Sequence, residues 1–297
     1  MVLSSLSPLV VATYTSLLGA IGAVWIRSRF LWSGLFAVSL VLGCVAGILT
    51  VTALLALGLF AAACAYFQRL TSRESASAWL RAGLTLVLSL LFLPFALHLI
   101  PGFHNPILAN RVILSEHSTP YTLYLNFDKT AVGLLLMAFV CLPSLPAAAS
   151  IALGLRRSGW IIVLNILLAL LLSWALGYVA WEPKGTPFFF AWAVVNLGFV
   201  CLSEEAFFRG LIQAQLTTCF QGRRYGSAVA IGVSSLLFGL AHFSGGVAYV
   251  VLAAVAGLGY GIIFQRSGRL EFSIAAHFLL NATHFLLFTY PALASRP

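Results

Sequence analysis

Apolar runs long enough to cross a bilayer recur along the whole chain. A helix needs about 20 predominantly apolar residues to span the hydrocarbon core. Ten such runs lie near 7–26, 30–47, 49–67, 82–100, 131–155, 159–181, 187–219, 226–243, 247–264 and 272–290. Because 61% of the 297 residues are hydrophobic and 8% are charged, the soluble classes of protein are excluded. We therefore expect an all-α fold, a polytopic transmembrane helical bundle of about 8–10 spans.

The positive charges lie at the ends of these runs and predict the topology, because cytoplasmic loops carry an excess of Lys and Arg. Five arginine pairs mark the predicted inner loops: Arg27/Arg29, Arg69/Arg73, Arg156/Arg157, Arg223/Arg224 and Arg266/Arg269. Segments 101–130 and 182–187 become outer loops, and both termini lie outside. The net charge of +9 is thus a topology signal, since no basic face of a folded domain is present for nucleic acid.

The candidate chemistry is confined to the second half of the chain. Residues 1–130 contain no intramembrane acid pair and no motif, so they are predicted to form an N-terminal accessory transmembrane region. Residues 131–297 are predicted to form the catalytic transmembrane core, with the active-site residues in the last third of the chain. We expect a multi-pass integral membrane protein of a bacterial inner (plasma) membrane.

An acidic pair, Glu204-Glu205, lies within the run 187–219, although the chain has only seven acidic residues. An ionisable group at bilayer depth costs about 3 kcal/mol on insertion scales, so such groups usually face the protein interior and have a function. Glu205 and Arg209 are four residues apart and are predicted to pair on one helical face. Glu204 points about 100° away and is left for a partner elsewhere in the fold.

Two further polar pairs lie in the last third, each four residues apart and so on one helical face: Phe238 with His242, and His277 with Asn281. Counted from the loop at 222–226, Glu204 and His242 lie at about 25 and 24 Å, at one level. His277 and Asn281, counted from the start of their own span, reach only about 12 and 18 Å, so a tilt or a broken helix must supply the difference.

A carboxylate, two imidazoles and a carboxamide in a dry pocket suit hydrolysis of a carbonyl substrate. Glu204 can act as general base on a water that His242 holds. Donors from His277 and Asn281 can stabilise an oxyanion. The predicted substrate is a peptide bond of a membrane protein. An aspartyl protease is excluded because it needs two Asp residues and Asp128 is the sole Asp. The HExxH motif of zinc proteases is also absent.

Three motifs of this sequence resemble those of the CPBP family: Glu-Glu-x-x-x-Arg at Glu204–Arg209, Phe-x-x-x-His at Phe238–His242, and His-x-x-x-Asn at His277–Asn281. This family, also called ABI, comprises the type II CAAX prenyl endopeptidases and bacteriocin-processing or self-immunity proteins. The resemblance covers roughly residues 190–290. It implies an intramembrane endopeptidase that acts on a membrane-associated protein or peptide, with or without a lipid modification.

The resemblance also implies roles for the motif residues. Glu204 and His242 would activate water, and His277 and Asn281 would form the oxyanion hole. The remaining motif members would have structural or orienting roles: Glu205, Arg209 and Phe238. Because prenyl-protein processing members of the family work from the cytosolic side, the predicted topology is unusual. It places Glu204 and His242 toward the outer face, which predicts cleavage near the outer leaflet.

Two alternatives stay open on the sequence. The family has been labelled metalloprotease, and Glu204, His242 and His277 could ligate Zn²⁺. Similarity to better understood members favours a metal-free glutamate mechanism with no cofactor, and no Asp is available to orient a ligating histidine. The other alternative is a non-proteolytic protein, either a transporter whose polar residues line an ion path or an immunity scaffold.

Overall fold

The computed structural model describes residues 6–72, 76–143, 145 and 147–294, so Arg73 lies outside the described residues. Ten helices of ten or more residues occur in these ranges: α1 Pro8–Trp25, α2 Arg29–Val45, α3 Val51–Thr71, α4 Ala78–Ala96, α5 Phe127–Leu136, α6 Ala148–Ala175, α7 Phe188–Cys219, α8 Gly226–Leu240, α9 Gly246–Ser267 and α10 Leu270–Leu287. The helix α5 is continued by a π-helical segment, Met137–Cys141. A short 3-10 turn, Phe243–Gly245, precedes α9.

Seven of the described helices are long and apolar enough to cross a membrane, namely α1, α3, α4, α6, α7, α9 with its preceding turn, and α10. The helices α2 and α8 are apolar but shorter. The predicted all-α polytopic bundle is confirmed, and the chain is a multi-pass integral membrane protein.

The break between the fifth and sixth helical segments differs from the prediction. Segments 131–155 and 159–181 were expected to meet at a loop holding Arg156/Arg157, but both arginines lie on α6, with exposed side chains. The chain instead breaks at Leu142, whose φ of 48° is left-handed. Pro143 follows directly, and a proline disfavours the helical conformation of the residue before it. Two adjacent charges do not end a helix, because long arginine side chains can extend toward the interface.

Segment 101–130 contains the two described strands, β1 Ile107–Val112 and β2 Tyr121–Tyr124, which pair antiparallel. Isolated bridges join this segment to other helix ends, through Phe103 to Leu49 and through Ser118 to Leu293, and a third bridge joins Trp181 to Phe288 beside them. These segments therefore share one end of the bundle, which we call the hairpin end.

The opposite end, which we call the basic end, is joined by contacts between other helix termini. Trp25 Nε1 donates to Glu271 Oε1 at 2.8 Å, and the Cys219 thiol donates to the carbonyl of Ala78 at 3.4 Å. Most of the arginines lie near this end: Arg27, Arg29, Arg69, Arg81, Arg223, Arg224, Arg266 and Arg269. The helices thus run alternately between the two ends, as the charge pattern predicts.

A single buried apolar cluster runs from α1 to α10 and includes Leu17, Phe60, Leu134, Trp192 and Phe285. The predicted boundary at residues 130/131 falls inside α5. The functional division into regions 1–130 and 131–297 stays a prediction.

Candidate active site

The acidic pair lies on an irregular part of α7. One α-helical turn, Leu202–Glu205, is flanked by the π-helical segments Asn196–Cys201 and Ala206–Gln213. π-helical turns inside α-helices are uncommon and frequently occur at functional sites. Both glutamates of this turn are buried.

The predicted ion pair between Glu205 and Arg209 is present and deeply buried. Arg209 Nη1 lies 3.0 Å from Glu205 Oε1, and neither side chain is exposed. Arg209 Nη2 also donates to the carbonyl of Gly257 at 2.8 Å, and its guanidinium carbon lies 4.6 Å from the ring centroid of Phe238. A buried charge that loses its partner is strongly destabilising. This contact set supports the structural role predicted for all three motif residues.

The second partner of Glu205 is His277. The Nδ1 atom of His277 lies 3.0 Å from Glu205 Oε1, and the ring stacks on Tyr260 with centroids 4.8 Å apart. The hydroxyl of Ser273 also donates to Glu205. An ionised carboxylate can only accept, so Nδ1 of His277 carries a proton and Nε2 is directed elsewhere. The sequence analysis noted that no Asp is available to orient a ligating histidine, but it did not consider Glu205, which contacts His277.

His242 is oriented by its own helix end. Its Nδ1 lies 2.7 Å from the carbonyl oxygen of Phe238, which is an acceptor, so this nitrogen too carries the proton. The rings of Phe238 and His242 have centroids 4.7 Å apart, which confirms that the two side chains share a face. α8 ends at Leu240, and His242 follows it at the hairpin end.

Both histidines direct Nε2 toward the same oxygen of Glu204. Glu204 Oε2 lies 4.0 Å from His242 Nε2 and 3.9 Å from His277 Nε2. It is buried and has no hydrogen-bond partner. These distances exceed a direct hydrogen bond but suit one bridging water. Glu204 and His242 thus lie at one level, as predicted, and His277 reaches the same level despite its lower predicted position.

Asn281 completes the predicted quartet, because it lines the same cavity of ≈ 120 Å³ as Glu204, His242 and His277. Its Nδ2 donates to Asn196 Oδ1 at 3.3 Å. Cys201 also donates to that oxygen, at 3.2 Å. Asn196 was not identified from the sequence.

Lys129 is the most important site residue that the sequence analysis missed. Its Nζ lies 2.6 Å from Glu204 Oε1, and both side chains are largely buried. It lies in the first turn of α5 and supplies the partner that Glu204 lacks on its own helix. The sequence does contain a feature that could have identified Lys129: the chain has only two lysines, and Lys129 directly precedes an apolar run.

The donor atoms of the cavity are spaced more widely than the ligands of a zinc ion. Zinc bonds of about 2.1 Å in a tetrahedron would separate ligand atoms by about 3.4 Å, less than the 3.9–4.0 Å found here. Lys129 already occupies the other oxygen of Glu204. No group of three His, Cys, Asp or Glu residues in the described part of the chain is arranged to hold a metal ion. The two N–O separations in this structure are thus wider than a tetrahedral zinc site requires.

Residues 186–283 match the family model described as type II CAAX prenyl endopeptidase Rce1-like. The matched segment is about a third of the chain and includes all three motifs. It confirms the predicted resemblance and supports CAAX-type intramembrane endopeptidase activity at the level of the family. No curated protein and no solved structure matches the chain.

Proposed function

We propose that this member of the CAAX endopeptidase family is a glutamate-type intramembrane protease that hydrolyses a peptide bond of a membrane-associated or lipid-anchored protein. The observation that carries the proposal is the convergence on Glu204 Oε2. This oxygen is buried and unpartnered, and it lies about equally far from Nε2 of His242 and of His277. A buried carboxylate oxygen without a hydrogen bond is energetically costly unless a water or a substrate donates one to it.

Water activation is assigned to Glu204 and His242. A water in this space donates one hydrogen to Glu204 Oε2 and the other to His242 Nε2, which is an acceptor because Nδ1 carries the proton. As the water oxygen bonds to the substrate carbonyl carbon, its proton passes to Glu204. Glu204 then protonates the leaving nitrogen as the C–N bond breaks. General-base assistance of this kind contributes about 10²–10⁴-fold in rate.

Oxyanion stabilisation is assigned to His277 and Asn281. The two histidines differ in what holds Nδ1: a carboxylate for His277 and a neutral carbonyl for His242. Glu205 fixes the ring of His277 through Nδ1, and Nε2 of His277 is the atom assigned to the developing oxyanion. Asn281 supplies a neutral amide donor. Donors placed where charge develops in the transition state lower the barrier without reorganisation.

Lys129 is assigned a positioning role. By binding Oε1 at 2.6 Å it holds the carboxylate of Glu204 in place and leaves Oε2 directed at the histidines. With Lys129 and Arg209 opposing Glu204 and Glu205, these four charged side chains sum to zero. Such balance lowers the cost of keeping a carboxylate base within the bilayer.

Cleavage is assigned to the outer half of a bacterial inner membrane. Lys129 and His242 both lie near the hairpin end of the bundle. The arginines concentrate at the other end, which the positive-inside rule places in the cytosol. The substrate class is therefore an exported or anchored protein whose scissile bond enters from the outer leaflet.

The proposal is tested by comparing protein termini in membranes from cells that carry the wild type, Glu204→Gln or Glu116→Gln. Glu204→Gln keeps the shape but removes the base, whereas Glu116 is an exposed carboxylate of the hairpin segment and serves as the control. A precursor that accumulates in Glu204→Gln alone, at equal protein abundance, supports the protease. Identical termini in all three samples contradict it.

A further inference from the structure

A second cavity, of ≈ 530 Å³, opens at the basic end, far along α1 and α5 from the catalytic residues. It lies between the α1–α2 turn, the last turns of α3, and the break after α5. It is lined by polar and apolar residues together: Val24, Arg27, Arg29, Trp32, Ser33, Gln68, Ala138, Phe139, Leu142 and Pro143. None of the motif residues is part of this lining.

The polar side of this cavity presents two guanidinium groups. Arg27 has a left-handed φ of 59°, and its Nε and Nη2 donate to the carbonyls of Pro143 and Leu142 at 3.3 and 3.1 Å. These bonds fix its position and leave Nη1 without an assigned acceptor. The exposed side chain of Arg29 makes no hydrogen bond or ion pair with the described residues.

Few negative charges of the described residues lie near these arginines. At the basic end, the acidic residue within the described ranges is Glu271, which pairs with Arg269 at 2.9 Å. Glu271 also accepts from Trp25. The positive charge of Arg27 and Arg29 is therefore available to an anion from outside the chain.

The other side of the cavity is apolar and aromatic. The rings of Trp32 and Phe139 meet edge to face, with centroids 5.7 Å apart and an interplanar angle of 85°. Val24 lies beside them in the lining. Tryptophan is enriched at the depth where headgroups meet acyl chains. A ligand of this cavity thus needs an anionic group and a hydrocarbon portion.

We infer that this cavity binds an anionic phospholipid, with the phosphodiester at Arg27 and Arg29 and the first part of an acyl chain against Trp32 and Phe139. The planar fork of an arginine matches phosphate oxygens. Basic pockets between transmembrane helices on the cytoplasmic side bind anionic headgroups, and each arginine near such a surface contributes about a fivefold preference. This inference is independent of the proposed protease activity.

The test uses the fluorescence of Trp32 in the intact protein. The protein is placed in phosphatidylcholine vesicles that contain increasing fractions of phosphatidylglycerol with brominated acyl chains, which quench nearby tryptophan. The Trp32 signal is the difference between the wild type and Trp32→Phe. A parallel titration uses brominated phosphatidylcholine, and a third adds inorganic phosphate as competitor.

We expect Trp32 quenching to saturate at a low phosphatidylglycerol fraction, with about 25-fold preference over phosphatidylcholine, a factor of about five for each of the two arginines. Arg29→Gln should reduce that preference about fivefold, and Arg27→Gln with Arg29→Gln should abolish it. The control is the double variant Arg223→Gln and Arg224→Gln, which removes two charges at the same end but outside the cavity. It should preserve the preference. Since Arg27 also holds two carbonyls, Arg29→Gln is the variant that leaves the fold intact.

Equal quenching by the two lipids would overturn the inference, as would an unchanged preference in Arg29→Gln at wild-type helix content. Displacement of the brominated lipid by inorganic phosphate alone would also overturn it, because the site would then bind a free anion. Persistence of quenching in phosphate supports a lipid ligand.

Discussion

Lys129 Nζ lies 2.6 Å from Glu204 Oε1, although the two residues are 75 positions apart in the chain. Lys129 lies outside the family-matched segment 186–283, and Glu204 lies inside it. The proposed catalytic carboxylate is thus held by a residue from the half of the chain that carries no motif.

Replacing Lys129 tests this contact. Lys129→Met should lower kcat about 10- to 100-fold, the range typical of partners that orient a reactive group, and leave KM nearly unchanged. Lys129→Arg keeps the charge and should restore most of the loss. Lys184→Met removes the other lysine and serves as control. A wild-type kcat for Lys129→Met at normal abundance would show that Lys129 does not position Glu204.

The buried pair of Glu205 and Arg209 should dominate local stability. Glu205→Gln leaves Arg209 buried without its counter-ion and should cost about 3–5 kcal/mol in free energy of unfolding. Arg209→Met should cost a similar amount. The double variant should cost less than the sum of the two single changes, because both charges are then removed. Thermal unfolding in detergent measures this, and simple additivity would contradict coupling between the two side chains.

Gly133 should be required for the approach of α5 to α7. A Cβ atom at Gly133 would lie 2.3 Å from Ser203 Oγ and 2.8 Å from Ser203 Cα, so the helices must separate. Small residues at such crossings permit close packing of membrane helices. Gly133→Ala should therefore cost about 1–3 kcal/mol of stability and lower activity, since Lys129 is on the same helix.

Gly58→Ala is the matched control, because a Cβ there would meet nothing within 4 Å. It should leave melting temperature and activity near wild type. Equal effects of the two glycine substitutions would contradict the role assigned to the α5–α7 contact.

The proposed orientation is tested by reporter fusions after residues 105 and 223. Residue 105 is at the hairpin end, and residue 223 is in the arginine-rich loop of the basic end. The positive-inside rule predicts an external reporter at 105 and a cytosolic one at 223. The reverse result would move the proposed cleavage to the cytosolic half of the membrane while leaving the catalytic assignment untouched.

Local relationships were predictable from the sequence. Glu205 and Arg209 are four residues apart on α7, and His242 lies four residues after Phe238, just beyond the end of α8, so local spacing alone brings each pair together. Long-range contacts were not predictable from the sequence. Nothing in the pattern of α5 assigns Lys129 to Glu204, because that contact depends on how two helices pack.

The depths of the site residues counted from the sequence assume regular α-helices. Counting 1.5 Å per residue treats α7 as a regular α-helix, but the π-helical segment Ala206–Gln213 lies between Glu204 and the basic end. A π-helical segment has more residues per turn and rises less per residue. Glu204 therefore lies lower than counted, nearer the level of His277. The helix break at Leu142 was missed for a different reason, since charge was given more weight than Pro143.

The most direct measurement uses the purified protein and the precursor that accumulates in Glu204→Gln cells, with cleavage followed in the presence and absence of a zinc chelator. The account predicts that Glu204→Gln lowers kcat by about 10²–10⁴-fold at wild-type stability, and that the wild-type rate survives chelation. Cleavage by Glu204→Gln at the wild-type rate would contradict Glu204 as the base. Loss of wild-type activity on chelation, with recovery on adding Zn²⁺, would contradict the metal-free mechanism.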